Sequence, residues 1–166
     1  MTIAIIGQAC IDEIISATGE LKSRSLGGVL YSYAAMERLA RDTDTTILPI
    51  GFYSVPDAEH LDPLLRRLAH FDFKRLTPTD ALTNRVQLVY HTDSDRTEHC
   101  PTILPTIELS HLERKHFEHI DALFVNMISG FDITLEAMEQ IASWSDELGF
   151  HIHLDIHALA LGPLSH

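Results

Sequence analysis

Apolar and polar positions follow two rhythms along this chain. Thr2–Gly7 is continuously apolar and rich in isoleucine, the pattern of a strand buried on both faces. Residues 13–25 alternate loosely around Gly19, which predicts a small hairpin of peripheral strands. From 29 to 41 the period lengthens. Leu30, Tyr33, Ala34 and Leu39 recur at helical spacing. Residues 45–52 read as the next strand, with Pro49 pointing to an irregular or edge position. A short helix over 56–69 follows, with Asp57, Glu59 and Asp62 at its start and Arg66 and Arg67 at its end.

Residues 71–76 and 85–92 alternate as strands do, Asp93-Ser-Asp-Arg makes a turn, and 97–100 returns as its partner. A proline-spaced segment, 101–105, leads to a polar helix over 110–119. The last third is the most regular. It has a buried strand at 122–127, a turn at Ser129-Gly130 and Asp132 as N-cap. An amphipathic helix over 133–148 is stopped by Gly149, and a strand follows at 150–156. Strand–helix alternation with buried strands implies an α/β/α sandwich around a mostly parallel sheet. The extra strands at about 13–26 and 71–100 imply a small β-layer inserted into one partial domain, 1–166. Beyond His157 only nine residues remain, so the last strand is expected to lack a covering helix, as in half of a larger protein.

Composition narrows the function classes. At 166 residues, 45% hydrophobic and 22% charged, the chain fits one globular domain. Its 24 acidic and 12 basic residues give a net charge of −12, a field that disfavours nucleic acid and anionic lipid. The start of the chain has no basic region with a long apolar core, and no apolar run approaches the roughly 18 residues of a membrane span. A cytoplasmic setting is the expectation. Cys10 and Cys100 have no metal or redox spacing, and Cys10 reads as a buried structural thiol.

Candidate chemistry concentrates early. Asp12 follows the first strand, and Gly27-Gly28 opens the first helix. Bare backbone at a helix start lets a ligand approach unpaired N–H groups, and a carboxylate accepts hydrogen bonds from hydroxyls. Together these suggest a polyol site. The alternatives are a turn-capping aspartate and a tight helix–sheet turn. Tyr31 and Ser32 fit helix packing as well as ligand contact. Asn126, at the carboxyl end of a central strand, lies where open α/β sheets bind ligands. Arg96 and Glu98 read as charges of a turn in the extra β-layer. A rival constellation is His151, His153, Asp155 and His157, which period two places on one strand face. It raises a metal-dependent hydrolase as an alternative, although neighbours about 7 Å apart allow only two of the four to share an ion.

The order of Ile5-Ile-Gly-Gln-Ala-Cys-Ile-Asp12, Gly27-Gly28, Asp95-Arg-Thr-Glu98, Asp121-Ala-Leu-Phe-Val-Asn-Met-Ile-Ser-Gly130 and His153-Leu-Asp155 resembles the ribokinase-like (PfkB) sugar and nucleoside kinases. The resemblance implies a small β lid over a sugar site, with Asp12, Gly27, Gly28, Ser32 and Asn126 facing substrate. It also implies ATP and Mg in the intact family, with none bound by this chain alone, because the family's Gly-Ala-Gly-Asp motif is not in this sequence. Ser32 replaces the family's usual asparagine, and Ile128 falls near a glutamate used by ribokinases. The resemblance thus implies the substrate half of a kinase, inactive by itself, with two copies able to pair through the lid. A non-catalytic sugar-binding or dimerisation module is the other reading.

Overall fold

Thr2–Gly7 forms β1 at the centre of a five-stranded sheet because its side chains are apolar on both faces. Ala4, Ile5 and Ile6 are all fully buried. The computed structural model describes residues 1–92, 95–102 and 104–155. The strands are β1, β2 (Ala9–Ser16), β3 (Leu21–Gly28), β4 (Thr46–Ser54), β5 (Leu76–Thr79), β6 (Asn84–Tyr90), β7 (Arg96–Thr102), β8 (Ala122–Asn126) and β9 (His151–Asp155). The helices are α1 (Val29–Ala40), α2 (Ala58–Leu65) and α3 (Leu135–Leu148). The large sheet has the order β5-β4-β1-β8-β9, and every pairing in it is parallel.

Two cores flank this sheet. Ala4 and Ile6 face Leu123, Phe117, Ile141 and Trp144 on the α3 side. Ile5 faces Val29, Leu30, Tyr33 and Leu61 on the α1 and α2 side. The expected α/β/α layering is therefore present, with helices on both faces of a parallel sheet. The chain runs from β1 outward through β4 and β5, then returns to the other side of β1 as β8. The order reverses between β1 and β8, the place where such sheets open a crevice at their carboxyl ends.

A second sheet, β3-β2-β6-β7, has antiparallel outer pairs and a parallel β2–β6 centre. Only Gln8 separates β1 from β2, so the chain steps from one sheet to the other through one residue. Its side chain is 1% exposed and donates from Nε2 to the Pro105 carbonyl at 2.8 Å. A second tie is ionic. Asp57, just before α2, is 4% exposed and accepts from the Arg85 guanidinium at 2.6 Å and the Thr83 N–H at 2.7 Å.

Several expectations need correction. The 71–100 stretch does not belong wholly to the small sheet, because β5 pairs with β4 in the large one. Over 71–76 the strand reduces to a bridge from Phe71 to Ile47 and a 3-10 turn, Phe73–Arg75, before β5 begins. The Asp72 side chain accepts from the Lys74 N–H and bends the backbone there. The expected helix over 110–119 is two single 3-10 turns, Leu109–His111 and Arg114–His116. Leu112 between them is extended, with φ −113° and ψ 137°. Leu112 and Phe117 are both buried in one core, yet on an α-helix they would sit about 140° apart. Burial of both overrides helix propensity. Each turn is held by a histidine ring, His111 or His116, accepting the N–H three residues back.

Pro49 lies in an interior strand and not at an edge, and the irregularity its position implied is a gap in the ladder on one side. Ile47 uses its N–H toward His70 on the β5 side, so alternation puts the position of Pro49's missing N–H on that side too. The β4–β5 ladder starts only at Gly51, leaving a gap where no donor is required. The N-cap of α3 is Thr134, whose Oγ1 accepts from the Ala137 N–H at 3.2 Å, rather than Asp132. Gly149 ends α3 in the left-handed conformation, φ 81°, as its spacing implied. The Asp93 end of the turn at 93–96, Ile156 of the last strand, His157 and the segment after it lie outside the described residues. No helix among the described residues is long and apolar enough to cross a membrane.

Burial alone would raise the Asp57 carboxyl, but hydrogen bonds from Arg85 and Thr83 outweigh it and hold the pKa below the usual carboxylate range. Its stabilising contribution is therefore complete above the unfolded value near 3.9 and is lost as pH falls through the lower folded one. Asp57→Ala leaves Arg85 without its partner and is expected to lower the unfolding free energy by about 3 kcal/mol in urea titrations at pH 7. The difference from the parent protein should shrink below about pH 4.

Candidate functional site

The β2–β3 ladder sets Cys10 opposite Gly27 and Asp12 opposite Ser25. Cys10 and Asp12 share one face of β2, and the Asp12 carboxylate leans back over Gly27. A β-carbon at position 27 would lie 2.5 and 2.6 Å from the two Asp12 carboxylate oxygens. The absence of a side chain at Gly27 is thus what leaves room for the carboxylate. The sequence placed an acceptor and a bare backbone together, and the structure brings them into direct contact.

Gly28 is needed for a different reason. Its φ of 63° and ψ of −137° belong to a region populated almost only by glycine. An added β-carbon would meet the Gln8 carbonyl at 2.6 Å. From this bend α1 begins without a side-chain cap, and the Val29 N–H returns to the Gln8 carbonyl at 3.1 Å. The start of α1 therefore packs directly on the β1–β2 junction.

Gly7 extends the arrangement to the large sheet. It pairs with Asn126 at the carboxyl end of β8, and a β-carbon on it would meet the Asn126 carbonyl at 2.7 Å and Val29 at 2.8 Å. The β1–β8 switch point, the start of α1 and the Asp12 end of the β2–β3 ladder are thereby linked through a run of close approaches. Asn126 is 8% exposed, its Nδ2 donates to Asp155 at 3.1 Å, and its Oδ1 has no partner among the described residues. A buried carbonyl oxygen without a donor is an acceptor held ready for a ligand or a water. Ser32 is half-buried in the first turn of α1.

Tyr31, 60% exposed, donates from its hydroxyl to Asp12 at 3.3 Å. The Cys10 thiol donates to the other Asp12 oxygen at 3.2 Å. Burial, reinforced by the Asp12 carboxylate, pushes the Cys10 pKa far up and keeps the thiol protonated. Cys10 is buried, as expected, and in addition orients the carboxylate. Sequence spacing did carry this signal, since residues 10 and 12 of a strand share a face.

Two residues emerge only from the structure. Gln8 and Asp132 are each 1% exposed, and Gln8 Oε1 and Asp132 Oδ1 have no partner among the described residues. Asp132 closes the loop after β8, its Oδ2 accepting from the N–H groups of Ile128 and Ser129 at 2.9 Å each. Burial raises its pKa against those hydrogen bonds. Gln8 was legible only as a polar residue amid apolar ones.

Other candidates lie apart. Arg96 pairs with Glu98 at 2.8 Å and with the Tyr90 hydroxyl at 3.2 Å. Tyr90 is opposite Ser16, four positions along β2 from Asp12, roughly 13 Å away. His151 and His153 are exposed on β9, whereas Asp155 is engaged with Asn126. Among the described residues no group of three His, Cys, Asp or Glu side chains comes together as metal ligands, and His157 lies outside them.

The site residues thus form two touching groups, Asp12 with Gly27 and Tyr31, and Gly7 with Val29 and Asn126. The two glycines predict different outcomes. Gly27→Ala should rotate the short Asp12 side chain away at a cost of about 1 kcal/mol, because only side-chain atoms must yield. Gly28→Ala meets a backbone carbonyl in a disfavoured conformation and should cost about 2–4 kcal/mol. Thermal and urea unfolding of both variants would check the order.

No protein-family model and no curated protein matches the chain by sequence. Solved structures match it by fold. An uncharacterized sugar kinase from Pyrococcus horikoshii in complex with ATP has a TM-score of 0.66 and 14% identity, covering 93% of this chain and 53% of that one. A PfkB protein from Polaromonas sp. JS666 has a TM-score of 0.66 and 12% identity, covering 93% and 55%. A pyrophosphate-dependent kinase in the ribokinase family has a TM-score of 0.65 and 14% identity, covering 94% and 50%. The chain spans about half the length of these structures. The likeness establishes a ribokinase-like α/β fold.

Proposed function

We propose that this chain carries the acceptor-binding site of a PfkB-type carbohydrate or nucleoside kinase. The observation that supports the reading is the Asp12 carboxylate held against Gly27 beside the start of α1. In this reading the carboxylate accepts hydrogen bonds from two ligand hydroxyls, oriented by Cys10 and Tyr31 from behind. The backbone at Gly27 and Gly28 approaches the ring closely, Ser32 supplies a hydroxyl, and the Asn126 Oδ1 accepts from the end of the ligand nearest the large sheet. Acceptors outnumber donors here, which suits a neutral polyol and opposes an anionic one.

Phosphoryl transfer needs donors arranged around a developing negative charge and a base for the attacking hydroxyl. No glycine-rich loop of that type is present in this sequence, so the ATP and Mg of the proposed reaction are held by residues that the chain does not contain. The fold neighbours include both an ATP complex and a pyrophosphate-dependent kinase, so ATP as donor rests on the motif resemblance. A cytoplasmic setting and pairing of two copies through the small sheet belong to the same reading.

Asp12→Ala should weaken sugar or nucleoside binding by about 1.5–3 kcal/mol, the worth of a charge-assisted hydrogen bond, in calorimetric titrations against pentoses, hexoses and nucleosides. An unchanged affinity would remove Asp12 from the site. The complete product of the gene should phosphorylate the same ligand in an ATP-dependent assay, while this chain alone turns over none. Failure of the complete product to bind nucleotide would overturn the kinase assignment.

A further inference from the structure

The face of β2 opposite Asp12 has its own pocket. Strand alternation turns Ile11 and Glu13 away from the proposed sugar site. Pairing places Leu26 and Arg85 beside Ile11, and Arg24 and Gln87 beside Glu13. This face looks onto the first turn of α2, and between them is a depression of about 330 Å³ lined by Ile11, Arg24, Ser25, Leu26, Arg85, Glu59 and His60. That volume suits a small metabolite.

Both guanidinium groups are fixed from behind. Arg85 donates from Nη2 to the buried Asp57 and from Nη1 to the Thr83 carbonyl, leaving Nε without a partner among the described residues. Arg24 is held through Nε by Glu13 at 2.9 Å, and Glu13 is braced in turn by Gln87 at 3.3 Å. The terminal nitrogens of Arg24 donate to nothing among the described residues. The fork of Arg24 and the Nε of Arg85 thus offer donors on one concave wall, an arrangement suited to an oxyanion. Glu59 is the one carboxylate in the lining and is largely exposed, near His60. Ile11 and Leu26 add an apolar floor. Glu13 and Asp57 each offset one of the two arginine charges, so recognition of an anion here rests on the oriented N–H donors and not on a net positive field.

We propose that this pocket binds the phosphate group of a small phosphorylated metabolite, with Arg24 and Arg85 as donors and Ile11 and Leu26 beneath the carbon skeleton. The site is separate from the proposed sugar site and stands whether or not the kinase reading holds. A ligand here touches β2, β3 and β6 on one side and α2 on the other, so it clamps the small sheet onto the large one.

The test is calorimetric titration of the 166-residue chain with inorganic phosphate at fixed ionic strength. Saturable binding is expected, weakened at least tenfold in Arg24→Gln and unchanged in Arg96→Gln, an exposed arginine on β7. Arg24 is more than half exposed, so its replacement should leave the unfolding midpoint in place. Should Arg24→Gln misfold, Arg24→Lys keeps the charge without the fork and is expected to bind at least threefold more weakly. No saturable binding, equal affinity in the folded Arg24 variant, or equal weakening by Arg96→Gln would each overturn the proposal.

Discussion

The site depends on a steric exclusion. Nothing larger than hydrogen fits on the α-carbon of Gly27, because the Asp12 carboxylate occupies that space. A strand pairing that would ordinarily bring two side chains together instead sets one carboxylate against bare backbone. The same strategy repeats toward the large sheet. Gly28 lies against the Gln8 carbonyl, and Gly7 lies against both Val29 and the Asn126 carbonyl. Each missing β-carbon shortens the distance between layers. The outcome is a run of backbone and short polar groups from the small sheet to the switch point of the large one.

A site shared by two sheets requires that the sheets be fixed to each other. Gln8 ties them covalently and through its amide, while Asp57 ties them through Arg85 and Thr83. A buried ion pair contributes less net stability than its short distance suggests, since both partners give up water. Its value here is positional, because it fixes how β6, and with it β2, lies over α2. The two faces of β2 consequently differ in character. One presents acceptors, with Asp12 at the centre, and the other presents the fixed guanidinium groups of Arg24 and Arg85.

Much of this was readable in the residues, for identifiable reasons. β1 and β8 are short apolar runs that tolerate no other placement, and α3 has both helical periodicity and a glycine stop. The contact between Asp12 and Gly27 was legible because a carboxylate after the first strand and a glycine doublet at a helix start read as parts of one site. The errors arose where a local cue competed with packing or with another hydrogen-bond partner. Residues 110–119 have helix-forming composition, but joint burial of Leu112 and Phe117 requires an extended residue between two short turns. Asp132 looks like a helix cap, yet its carboxylate is taken by the backbone of its own loop. Pro49 implied an irregular or edge position, and only the register of β5 reveals which, a ladder gap inside the sheet where no donor is required. The anchoring of Arg85 by Asp57 is likewise invisible to spacing, since it joins segments that only the fold brings together.

The central claim is that one polar ligand contacts Asp12, the glycine doublet and the switch-point asparagine together. Amide and side-chain NMR shifts of the chain, followed through titration with the tightest-binding sugar or nucleoside, test it most directly. The account predicts that the amides of Gly27, Gly28 and Val29 and the Asn126 side-chain signals shift along one common saturation curve. The amides of Arg96 and Glu98 on β7 should stay in place. Shifts confined to the small sheet with Asn126 unmoved, or no saturating shifts at the glycine pair, would contradict it.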